Sequence, residues 1–210
     1  MSINVFGAWM RRRLKLGRRQ HVCCQETART RPQVTALEDR CLLSGFVVGA
    51  AGAGSSPIVR VLDGTTGQEK LRIQAYDDGF RGGVHVAASD DRNHDGFPDV
   101  IVTGAGGGGG PHIREFDGRT GAELKSFFAY DAGFHFGASV ALGDVNHDGV
   151  LDIITGAGPG GGPHVKVFDG VSNVELQSFF AFNSGFTGGV NVGSGDIDHD
   201  GADDIVVGAS

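Results

Sequence analysis

Three stretches of this sequence set oxygen-bearing side chains at alternate positions around a glycine. They read Asp91-Arg-Asn93-His-Asp95-Gly96-Phe97-Pro-Asp99, Asp144-Val-Asn146-His-Asp148-Gly149-Val150-Leu-Asp152 and Asp196-Ile-Asp198-His-Asp200-Gly201-Ala202-Asp-Asp204. Positions 1, 3, 5 and 9 of each carry Asp or Asn. A backbone that curls about one point therefore turns four side-chain oxygens inward and the intervening side chains outward. Glycine at position 6 permits the sharp turn, and the carbonyl of position 7 (Phe97, Val150, Ala202) adds a backbone oxygen. Six to eight oxygens at about 2.3–2.6 Å is the shell Ca²⁺ takes, whereas Mg²⁺ demands a tighter octahedron. The pattern predicts about three bound Ca²⁺, one for each loop. The position-12 glutamate of an EF-hand is absent and no helical pattern flanks the loops, so these are not EF-hands.

Charge supports a cation partner. The three ligand sets hold ten carboxylates, and clustered anions repel unless a cation or a proton compensates. Residues 1–45 carry nine Lys and Arg against three acids, a net of +6, which leaves the remainder at −13. Three Ca²⁺ would bring that body to −7. Its acidity excludes nucleic acid as a partner, because phosphate contacts need cations. No uncharged apolar run reaches the 18 residues of a membrane-spanning helix. Cys23, Cys24 and Cys41 all lie in the basic segment without a zinc or disulfide spacing, and residues 46–210 have no cysteine.

Other candidate chemistry is weaker. Gly104-Ala-Gly106-Gly-Gly-Gly109 satisfies GxGxxG, but that motif needs a helix N-terminus for the pyrophosphate and a strand pattern follows it. His94, His147 and His199 occupy position 4, an outward position. His112 and His164 correspond to Ile58, which a metal ligand would not tolerate as an equivalent, and read as strand residues; Arg60, Arg114 and Lys166 beside them line one face. No Ser/His/Asp or Cys/His arrangement occurs, and the expectation is a non-enzymatic chain.

The elements that must hold these loops follow from an internal repeat. Asp63-Gly64, Asp117-Gly118 and Asp169-Gly170 recur at spacings of 54 and 52, as do Tyr76–Phe80, Tyr130–Phe134 and Phe182–Phe186. Each copy divides into four strand-sized pieces separated by Gly, Asp or Asn, in the second copy Val100–Thr103, His112–Phe116, Leu124–Tyr130 and Ala138–Leu142. Four short antiparallel strands repeated at about 50 residues are the pattern of β-propeller blades. Glycine, 37 of 210 residues, has no collagen triplet and serves turns. The predicted fold is all-β, a partial β-propeller of about three four-stranded blades (46–98, 99–151 and 152–204) plus one leftover strand. The Asp-rich loop is placed between one blade and the next. Rings usually close with four to eight blades, so the expectation is self-association, two copies giving six blades, or additional blades in a longer chain.

Residues 1–45 show neither helical nor strand periodicity and are predicted to be a basic leader or disordered arm. Cys41–Gly54 has the length of a secretory apolar segment, but Phe46–Gly54 also aligns with the first strand and loop of the repeat. Leu37-Glu38-Asp39-Arg40-Cys41-Leu42-Leu43-Ser44 resembles the short LEPR/LEDR-x-LL element of planctomycete surface and exported proteins, which implies export.

The blade size, the Asp-rich loop, Phe136-Gly137 and the Gly-Ala pairs at 49–50, 104–105, 156–157 and 208–209 resemble FG-GAP repeats, the blades of integrin α-subunit propellers and of bacterial surface proteins. The resemblance covers 46–210. It implies that the loop side chains named above are calcium ligands and that the module is exported to the extracellular space or cell surface for binding or adhesion to a protein or glycan. FG-GAP-like repeats also accompany catalytic domains, so the alternative is an accessory region of a secreted polysaccharide- or lipid-degrading enzyme. Gly82-Gly83 and Gly188-Gly189 depart from the pattern where Phe-Gly is expected, and Gly158 precedes Pro159 where the family has Gly-Ala-Pro.

Overall fold

The computed structural model describes residues 45–210; the leader, the cysteines and the export element expected before them lie outside the described residues. No described residue is helical. The strands form four sheets. The first holds β1 (Phe46–Ala50), β2 (Ile58–Asp63) and β3 (Glu69–Gln74). The second holds β4 (Val84–Ala88), β5 (Val100–Ala105), β6 (His112–Asp117) and β7 (Glu123–Phe128), and the third β8 (Ala138–Gly143), β9 (Asp152–Ala157), β10 (His164–Phe168) and β11 (Glu175–Phe180). The fourth pairs β12 (Val190–Gly195) with β13 (Asp204–Ala209). Neighbours in a sheet are neighbours in sequence and run antiparallel, so every sheet is a meander. Residues 45–210 form an all-β, partial β-propeller.

Strand positions match the repeat, but its phase does not. The repeat limits 46–98, 99–151 and 152–204 cut through the sheets, because β4 pairs with β5 and β8 with β9 across the Asp-rich loops. Each loop is thus the first hairpin connection of a blade and not a link between blades. Periodicity fixes the length of a repeat and not its starting point; only cross-strand hydrogen bonding does that. Two blades are complete, and the first and fourth contribute three and two strands among the described residues.

Local turn chemistry sets the second hairpin of each blade. Asp117 Oδ1 accepts from the Thr120 N–H at 2.7 Å, the Arg119 N–H at 3.2 Å and the Thr120 hydroxyl at 2.6 Å. Asp63 does the same with Thr65 and Thr66, and the Thr66 donors push its carboxyl down to about 2. These aspartates favour the turn by supplying acceptors that the backbone lacks there.

The core lies between blades. Ile101 faces the first blade with Val59, Val61 and Ile73, while its neighbour Val102 faces the third with Ile113, Val140 and Ile153. Ile154, next to Ile153, joins Val165, Val167 and Val190 toward the fourth. A strand covered on both faces needs consecutive apolar residues, which Val100–Val102 supply in β5 and Ile153-Ile154 in β9. Burial of each such Val or Ile contributes about 1.5–3 kcal/mol. It declines outward: all of β9 is buried and all of β11 exposed.

Polar ties cross the same seams. The Tyr76 hydroxyl donates to the His112 carbonyl at 2.9 Å and lies 3.2 Å from Thr103 Oγ1. Tyr130 repeats this, donating to the His164 carbonyl at 2.9 Å and accepting from the Thr155 hydroxyl at 3.2 Å. Arg114 returns the link, donating to the Ala75 carbonyl at 2.6 Å with its guanidinium 5.9 Å from the Tyr76 ring centroid. Lys166 sits over Tyr130 in the same way. At the next repeat Phe182 stands for the tyrosine and Val207 for the threonine; both hydroxyls are lost together, the substitution that leaves no orphaned group.

Two alignments change with the structure. Ala50 pairs with Val59 where Gly104 pairs with Ile113, so Ala50-Ala51, and not Gly49-Ala50, match Gly104-Ala105. At the Phe-Gly position only the glycine is common: Gly83, Gly137 and Gly189 have φ of 86°, 81° and 81°. Phe136 is 54% exposed, so its replacement by Gly82 or Gly188 costs little.

Candidate metal centre

Each Asp-rich loop is closed by its own side chains. The position-1 carboxylate accepts from the N–H groups of positions 5 and 6: Asp91 from Asp95 at 2.9 Å and Gly96 at 2.7 Å, Asp144 from Asp148 at 2.9 Å and Gly149 at 2.8 Å, Asp196 from Asp200 at 3.1 Å and Gly201 at 3.2 Å. The side-chain oxygen of position 3 (Asn93, Asn146, Asp198) accepts from the same position-5 N–H. Position 5 accepts from position 7, Phe97, Val150 or Ala202. Position 9 reaches back to position 2, Asp99 to Arg92, Asp152 to Val145 and Asp204 to Ile197. The side chains expected from sequence are thus tied to the N–H groups of their own loops in all three copies, but among the described residues only Asp196, Asp198 and Asp204 bring their carboxylate oxygens within 4.8 Å of one another.

The backbone needed for this is unusual. Position 4 is left-handed in every copy, with φ of 59°, 59° and 63° at His94, His147 and His199, and position 6 follows at 84°, 87° and 95°. Histidine tolerates that region better than β-branched residues do. His147 is not simply outward as expected: its Nδ1 lies against the Gly201 carbonyl of the third loop.

The donor set suits a hard cation. In the third loop the carboxylate oxygens of Asp196, Asp198 and Asp204 lie within 4.8 Å of one another; the first two loops have the neutral amide of Asn at position 3. Asp152 is fully buried. Burial pushes its carboxyl up from the ordinary value, opposed by N–H donors from Gly170 and Val145. A divalent cation would supply the compensation that a buried carboxylate requires. The first loop differs in one respect: Arg119 pairs with Asp95 Oδ2 at 3.0 Å, and so competes for that oxygen.

The loops also touch one another. Arg92 of the first donates to the Gly149 carbonyl of the second at 2.9 Å. Between the second and third the contact is reciprocal: the Asp144 N–H donates to Asp203 Oδ2 and the Asp203 N–H to the Asp144 carbonyl, both at 2.8 Å. Sequence reasoning missed Asp203. Its only signal is an acid at position 8, where the other loops have Pro98 and Leu151.

A search among curated proteins finds no match to the chain. The loop geometry nevertheless coincides with a known repeat: from the first ligand position at Asp91, through the whole second loop, to Thr155 in β9, the chain matches the family model of the FG-GAP-like repeat, residues 91–155.

Proposed function

We propose that this chain is an exported, non-enzymatic repeat module that binds about three Ca²⁺ and serves binding or adhesion at the cell surface or outside the cell, toward a protein or glycan. The clustered carboxylates of Asp196, Asp198 and Asp204, in a loop whose turn and hydrogen bonds recur in the other two, carry the reading, and the matched repeat supports it. Bound calcium would neutralise the carboxylates of positions 1, 5 and 9 and fix the first hairpin of each blade. The protein's part is to hold those oxygens in place through the loop N–H groups.

Titration calorimetry on the 210-residue chain is expected to count three Ca²⁺. Asp148→Ala removes position 5 of the second loop and leaves Asp144 and Asp152 poorly compensated, so the count should fall to two with the other sites intact. Three ions bound by that variant would show the ligand assignment of the second loop to be wrong.

The blades also offer edges for assembly. Among the described residues β13 pairs with β12 alone, and an unpaired edge recruits another strand. In calcium the 210-residue chain is expected to form dimers or larger assemblies. Light scattering that reads a compact, stable monomer at micromolar concentration would overturn this.

A further inference from the structure

We propose that Asp203 is a positioning residue that couples the second and third loops, so that calcium in the third tightens calcium binding by the second. The proposal rests on the calcium reading given above and adds an order of dependence among the sites.

The two hydrogen bonds between Asp203 and Asp144 form a closed pair across 59 residues of chain. Each end of the pair is attached to a ligand set. Asp144 is position 1 of the second loop, and its carboxylate already receives Asp148 and Gly149; holding its backbone aims both oxygens. Asp203 lies between Ala202, whose carbonyl is a proposed ligand, and Asp204, position 9. A cation in the third loop would therefore fix the backbone on both sides of Asp203. The carboxylate of Asp203 is turned away from its own loop toward Asp144, which separates its role from that of a ligand.

The seam around the pair is tight enough to transmit a shift. The Ser194 hydroxyl, at the end of β12, donates to the Leu142 carbonyl at the end of β8. A Cβ on Gly143 would come within 2.7 Å of the Ser194 Cβ and 3.1 Å of the Asp203 Cβ. His147 closes the far side against Gly201. The first and second loops lack this arrangement, having the Arg92–Gly149 bond and Pro98 and Leu151 at position 8. Coupling is accordingly expected on the second seam and not on the first.

The test is a double-mutant cycle on the full chain, following calcium at the second loop through the Gly149 amide resonance. Asp200→Ala, which disables the third loop, should weaken the second loop about fivefold, at the lower end of usual coupling between sites. In an Asp203→Ala background the same change should leave the second loop unaltered. Asp203→Asn, which keeps the acceptor and removes the charge, should restore the dependence and controls for any folding defect of the alanine variant. An equal effect of Asp200→Ala with and without Asp203, or no effect in either, overturns the coupling. A wild-type chain whose Gly149 resonance ignores calcium overturns the calcium reading itself, a result distinguishable from both.

Discussion

Chelation of calcium is expected to lower the melting temperature of the chain by about 8–16 °C. Extracellular calcium modules bind at about 10⁻⁴–10⁻³ M. At tenfold excess over Kd each site stabilises the folded state by about 1.4 kcal/mol, and three independent sites by about 4 kcal/mol. For a domain of this size each kcal/mol moves the midpoint by about 2–4 °C. The sign follows from the loops: ten carboxylates are gathered there, and one of them, Asp152, is fully buried. Without a cation their mutual repulsion opposes the hairpins that begin the last three blades. Thermal melts in millimolar Ca²⁺ and in chelator measure the difference, and coincident curves would sink the idea.

A single methyl group should cost nearly as much. Gly104 sits in β5 with its α-carbon against β8 of the next blade, where an added Cβ would run into the Ala138 carbonyl oxygen and approach Val140 Cγ1 at 3.0 Å. The obstacle is backbone of a buried strand, so no side chain can rotate out of the way. Gly104→Ala is expected to destabilise by about 3 kcal/mol, the upper range for overpacking. Gly156→Ala, which meets the Val190 carbonyl at 2.9 Å, should cost less. The first blade has Ala50 at this position and packs it against β4, so only the later seams demand glycine. Urea denaturation reads the effect; a loss below about 1 kcal/mol for Gly104→Ala would mean that the blades separate easily.

Much of this architecture was legible from local chemistry. The strand expected at Val100–Thr103 is β5 with two residues added, and the Asp-Gly turns at 63, 117 and 169 fall where the hairpins close. The turn of each loop was legible because its glycine at position 6 and the acceptors at positions 1 and 3 are local features. The assignment of Gly49-Ala50 failed because it matched the Gly-Ala pair by residue type; the first and second glycine-rich turns have equal length, and the 54-residue spacing of the other landmarks already pointed to Ala50-Ala51. Blade phase and the role of Asp203 were not legible. Both depend on which strands and loops meet across the sheet, and sequence spacing is silent about that.

The chain has two tyrosines, and the structure spends one on each of two adjacent seams. Tyr76 spans the first and second blades and Tyr130 the second and third. Burial raises both phenols well above their ordinary ionisation range. Each ring is thus an intrinsic optical probe of a single junction, and replacing one with phenylalanine isolates the signal of the other. The junction occupied by Phe182 and Val207 is dark in the same experiment. Without any attached label, comparing the two phenylalanine variants reads which of these two junctions parts first during unfolding.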